Sequence, residues 1–143
     1  MATTTAAVTL TSDLLSDNMS VSAESTLMQA GSASDGLDQM KMGYVEIATG
    51  TNFDLFNADN ALNKDKGNKV YICNDSIDET YYVVITIDAT VVGRLYGGPD
   101  GGDWMFIPWR AEDATADIEI RAYTGTNKIS YAWFHEGETL TSA

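Results

Sequence analysis

The sequence is short of two residues on which much catalytic and metal chemistry rests. It holds one cysteine, Cys73, and one histidine, His135. A lone cysteine closes no internal disulfide, and no zinc-ligand pair accompanies it, so neither a disulfide framework nor a structural zinc site is expected. No Gly-x-Ser-x-Gly elbow is present, and His135 stands near the C-terminus beside Glu136. Bases are scarce: 8 against 21 acids give a formal net charge of -13. Binding to nucleic acid, which relies on neutralising phosphates, is therefore not expected. No apolar run approaches the roughly 20 residues of a membrane span. Met1 to Leu10 has neither a basic n-region nor an apolar core, so a secretory signal is not expected either. A soluble chain follows, with no membrane partner. The acidity serves solubility by default, and a surface suited to a salty medium is the other reading.

A chain of 143 residues suits one domain and buries enough surface to fold without a staple. Its composition divides near Asp38. From Met1 to Gly36 more than half the residues are Ala, Ser or Thr, there is no aromatic, and no Lys or Arg precedes Lys41. The few apolar residues there include Val8, Leu10, Leu14, Leu15, Met19 and Val21. Such a segment cannot bury enough apolar area alone to offset its ordering entropy. Residues 1–37 are thus expected to form an arm docked on the body, a sister subunit or another protein, with 38–143 as the main domain. The plainer alternative is an edge strand and loop of one domain.

From Met40 onward, short segments of strand chemistry alternate with turn residues. Strands are predicted over 40–48, 53–56, 69–73, 80–88, 90–96, 104–109, 116–123 and 128–134. Such spacing without a long helix implies an all-β fold, an antiparallel β-sandwich or small barrel of jelly-roll or immunoglobulin-like kind. In 116–123, alternation puts Ala116, Ile118, Ile120 and Ala122 on one face. Beyond the "TGTN" turn, Ile129, Tyr131 and Trp133 form a matching set. A hairpin pairing Tyr123 with Lys128 would set Ile120 opposite Tyr131 and Ile118 opposite Trp133.

The stretch "YGGPDGGDWMFIPWR", Tyr96 to Arg110, poses the main functional choice. A phosphate cradle needs glycines leading into a helix, and here they lead into a strand containing a proline with no lysine near. Asp100 and Asp103 are too few ligands for calcium, so the reading is a corner where the chain reverses. The acidic loops at Asn74 to Glu79 and Asn57 to Asn68 lack EF-hand spacing and read as solvated connections. No cofactor is expected. Cys73, inside a β-rich run, reads as a buried, inert thiol. A pair of converging carboxylates is the only catalytic device left open, and enzyme activity is not expected. Pro108 lacks the N–H of a central strand, so its segment is an edge strand, a bulge or a strand end, and the arm is a natural cover for it. Trp104 and Trp109 have opposite parity. One is therefore buried, and the other is covered by a loop, a subunit or a ligand. Arg110, beside Trp109, could stack on an aromatic ring, a common surface arrangement.

"WMFIPWRAEDATADIEIRAYTGTNKISYAWFHE" resembles the C-terminal module of small structural proteins of tailed bacteriophages, especially those of marine hosts. The resemblance rests on Pro108-Trp109, the D-I-x-I strand at Asp117 to Ile120, and Tyr131 with Phe134. It implies a virion component. Together with the acidity and the arm, it points to a capsid decoration or cement protein on the outer surface. The expected partners are the major capsid protein and sister subunits, with a homo-oligomer, favourably a trimer, as the assembly. The interface candidates are then Val8, Leu10, Leu14, Leu15, Met19, Val21, Trp104 and Trp109. The alternative is a tail or fibre module that binds host surface glycans through Trp104 or Trp109.

Overall fold

A computed structural model describes residues 3–12, 19–28, 37–59, 66–111 and 115–139. Their regular structure is entirely β: β1 (Thr3–Ser12), β2 (Met19–Met28), β3 (Leu37–Ile47), β4 (Asn52–Phe56), β5 (Lys66–Asn74), β6 (Tyr82–Ile87), β7 (Thr90–Tyr96), β8 (Trp104–Arg110), β9 (Ile118–Thr124) and β10 (Asn127–Thr139). All eight strands predicted from Met40 onward are present. Two antiparallel four-stranded sheets, β3-β10-β5-β8 and β4-β9-β6-β7, pack as a sandwich. Strands β1 and β2 form a separate two-stranded ribbon, in which Val8 lies opposite Ala23 and Leu10 opposite Val21.

The core follows from alternation. From the first sheet come Ile47, Val70, Ile72, Trp109, Ile129 and Trp133, and from the second Phe56, Val83, Ile85, Leu95, Ile118, Ile120 and Ala122. Parity correctly identifies the inward residues of β9 and β10, yet the expected β9–β10 hairpin is not formed. Ile120 pairs with Phe53 and Ile85, whereas Tyr131 pairs with Gly43 and Ile72. The two strands belong to different sheets, so their apolar sets meet across the core rather than side by side. Alternation specifies which face is buried, and it is silent on which strand lies next door.

From β3 to β10 every connection except β6–β7 passes between the sheets. The exception turns through Asp88 and Ala89, both with positive φ, the twist that a two-residue hairpin needs. Pro108 sits where its missing N–H is tolerated, on the edge strand β8 opposite Lys69. The arm does not cover that edge as a strand among the described residues. Its described strands pair with each other, which satisfies their facing backbone groups locally.

The crossings converge on a buried polar knot. Asn74 Nδ2 donates to the Leu95 carbonyl at 3.0 Å and to Asn127 Oδ1 at 2.9 Å, while Asn74 Oδ1 accepts from the Ser76 N–H at 3.1 Å. Asn127 Nδ2 donates to the Thr124 carbonyl at 2.8 Å, and Ser76 Oγ accepts from the Lys128 N–H at 2.9 Å. The Gly97 to Asp103 corner closes onto the same residues. The Asn74 N–H donates to the Asp103 carbonyl, and Asp103 Oδ2 accepts from the Tyr96 N–H. A Cβ on Gly102 would collide with the Asn74 carbonyl oxygen. The glycine stretch is thus a corner that needs bare backbone for a close approach.

Truncating Asn74 leaves several of these groups without partners, each costing roughly 1–3 kcal/mol when buried. Asn74→Ala is expected to lower unfolding free energy by about 2–4 kcal/mol in urea titration, and Gly102→Ala to lower the urea midpoint through the backbone clash.

Candidate functional site

The inner faces of the sandwich are occupied by its core, so a site on the sheet faces themselves lies on the outer ones. On the first sheet the register brings Tyr44, Ser130, Cys73 and Trp104 into one row, and Met42, Ala132, Tyr71 and Phe106 into the next. Tyr71 and Trp104 lie 6.3 Å apart between ring centroids, and Phe106 meets Phe134 edge-on at 6.1 Å. Tyr44 and Met42 are well exposed, and Trp104 is 46% exposed. An antiparallel sheet with one solvated face ordinarily shows polar residues there. These two rows are apolar and aromatic instead, with Glu46, Lys128 and Lys69 flanking them on the same face.

The two candidate tryptophans part company, as their parity requires. Trp109 is 4% exposed, packs on Phe56 in the core and donates its indole N–H to the Ala116 carbonyl at 2.8 Å. It is a core residue, not part of an accessible interface. The burial of its ring between the sheets removes it from any glycan platform. Of the two, Trp104 alone faces outward. Of the arm candidates, Val8 is half-buried, and Leu10, Met19 and Val21 lie on paired strands opposite Val21, Ser12 and Leu10. Leu14 and Leu15 lie outside the described residues.

The nucleophile candidates occupy packing positions. His135 is buried with its ring 5.3 Å from Trp133. Cys73 is a buried free thiol, and burial pushes its pKa up, which keeps it protonated and weakly nucleophilic. Its neighbour Tyr71 is pushed up to about 12, first by burial and then by the hydrogen bond with Cys73. Among the described residues no group of three or more His, Cys, Asp or Glu gathers as metal ligands would. An open depression of about 400 Å³ is lined by Tyr44, Val45, Glu46, Asp75, Lys128 and Ile129, and neither Cys73 nor His135 lies in its wall.

The second sheet carries a cluster that the sequence pattern does not reveal. Tyr96 on β7, Tyr82 on β6 and Tyr123 on β9 form a row, with centroids 5.2 Å apart for the first pair and 5.6 Å for the second. A register shift between Tyr82 and Val83 brings Tyr123 alongside Tyr82, their rings within 4° of parallel. The guanidinium carbons of Arg94 and Arg121 lie 5.3 Å from the ring centroids of Tyr82 and Tyr123. The sequence suggests such stacking at Arg110 on β8; the pairs at Arg94 and Arg121 lie on the opposite sheet. Hydrogen bonding to Tyr96 raises the Arg94 pKa.

Comparison with known protein families, curated proteins and solved structures finds no match to this chain. Its outer faces are therefore read on their own chemistry.

Two outcomes follow from these placements. Trp109→Ala is expected to cost about 3–5 kcal/mol and Trp104→Ala no more than about 1 kcal/mol, by chemical denaturation. Tyr71 favours its neutral form in the folded state, so its contribution is complete below pH 10 and is lost as pH rises towards about 12. Ultraviolet titration should show a late-ionising component that is lost in Tyr71→Phe.

Proposed function

We propose that this chain is a non-enzymatic virion structural protein, a decoration or cement protein of the outer capsid surface that attaches through its N-terminal ribbon. The observation that carries the reading is the β1–β2 ribbon, which among the described residues shares no strand pairing with either sheet of the sandwich. An isolated two-stranded hairpin is marginal in water. A partner that pairs with one of its edges supplies the missing backbone bonds, as in strand addition.

Other features support the same reading. The outer face of the first sheet, with Trp104, Met42 and Tyr44 exposed, has the aromatic and methionine content enriched at protein interfaces. A net charge of -13 suits a position outside the packaged DNA, which would repel it. The resemblance of the second half to small tailed-phage structural proteins points the same way. The major capsid protein and sister subunits are the partners in this reading, and a trimer suits local three-fold positions.

A second reading, a tail or fibre module for host glycans, draws support from the exposure of Trp104. Attachment separates the two. A chain lacking Met1 to Gly36, mixed with capsids stripped of the native protein, is expected to lose at least tenfold in occupancy by quantitative sedimentation. Full occupancy without those residues removes the decoration reading. Loss of cell-surface binding in Trp104→Ala, with capsid occupancy absent for both chains, would favour adsorption.

A further inference from the structure

Sheet edges are where a β protein pairs with other chains, and all edges here but one carry a feature that discourages it. On β3, Lys41 shares a register row with the core residue Trp133, which sets a charge on the inner face of that edge. Strand β8 carries Pro108 and Arg110. Register shifts interrupt β4 between Asp54 and Phe56, and β7 opposite Ile85 and Thr86. Near its middle β2 holds Glu24, opposite Ala7. By contrast β1, "TTTAAVTLTS", has no charge, proline or glycine, and it pairs with β2 from Thr3 and Met28 to Ser12 and Met19 without a shift. Among the described residues its other side pairs with no strand.

A regular, uncharged edge accepts a strand, and charge and sequence together indicate which one. In a chain of net charge -13, two copies repel wherever their acids meet, and β1 is the edge that brings none. Two β1 strands running antiparallel about a two-fold axis at Val8 would set Val8 opposite Val8, Ala6 opposite Leu10, Thr5 opposite Thr11 and Thr4 opposite Ser12. Apart from Ala7 opposite Thr9, apolar positions then meet apolar ones and hydroxyls meet hydroxyls, the pairs that stabilise a sheet. The register keeps parity, so Val8, half-buried between exposed Ala7 and Thr9, stays on one face with its counterpart. A two-stranded ribbon is marginal alone, whereas two ribbons joined this way form one sheet of four strands.

We propose that the outer edge of β1 is a self-association site that takes β1 of a second copy, antiparallel about Val8. The contact goes beyond capsid attachment, for which the edge of β2 remains. A two-fold joint between arms also leaves the bodies free to gather about a three-fold axis.

The test is sedimentation equilibrium of the full chain at about 0.15 M salt, where a Debye length of about 8 Å limits repulsion between the bodies. Pairing of chains is expected. Val8→Glu and Val8→Lys each set like charges opposite one another across the axis, and each is expected to weaken pairing at least tenfold. Mixed together they are expected to pair again, an outcome that neither a misfolded ribbon nor a general change of charge produces. Ala23→Glu places the same charge in the same register row but on β2, and is expected to pair within a few-fold of the unchanged chain. A monomeric unchanged chain, pairing indifferent to Val8→Glu, an equal loss in Ala23→Glu, or charge variants that stay apart when mixed would overturn the proposal. Capsid occupancy is read separately, so a monomer that still loads onto capsids removes this contact and leaves attachment standing.

Discussion

The fold hangs on one side chain, the amide of Asn74. It stands at the end of a central strand of the first sheet and reaches the end of β7 in the second through the Leu95 carbonyl. Through Asn127 it also holds the arch from β9 to β10. A sandwich whose chain crosses between layers at nearly every turn accumulates backbone groups that neither sheet can pair. Water cannot serve them once the layers close, so a buried amide with donors and an acceptor takes that place. Gly102, in the Gly97 to Asp103 corner, serves the same end, since only bare backbone comes near enough to the Asn74 carbonyl.

With the crossings pinned, both sheets present outer faces fixed in register, and those faces differ in chemistry. The first gathers Trp104, Tyr71 and Phe106 around a buried thiol, with charged residues at its margins. The second joins phenols to guanidinium groups. A domain whose only task is to remain folded has no need of either, because its core is complete between the sheets.

How far the sequence discloses this depends on the range of the signal. Strand positions and inward faces are local properties, and β-branched and aromatic alternation marks Ile118, Ile120 and Ile129 as core. The opposite parities of Trp104 and Trp109 likewise separate an outward from an inward ring by local pattern alone. Pairing is a long-range property. The short "TGTN" segment has the look of a hairpin, and only Asn127, recruited by a strand end more than fifty residues earlier, turns it into a crossing. The tyrosine row is illegible for the same reason. Its members come from β6, β7 and β9, and one is aligned by a register shift that leaves no mark in composition.

The pairing of β3 carries a consequence for the order of assembly. Its only strand neighbour among the described residues is β10, the last strand of the sandwich, so some eighty residues separate a partner pair such as Val45 and Ile129. Long closures of this kind slow folding, since loop entropy is spent before contacts compensate. As the chain leaves the ribosome, β3 emerges before β10 and waits, its edges open, until β10 has been made. Acidic residues along the nascent chain then do a second service, holding neighbouring copies apart while that strand is unpaired.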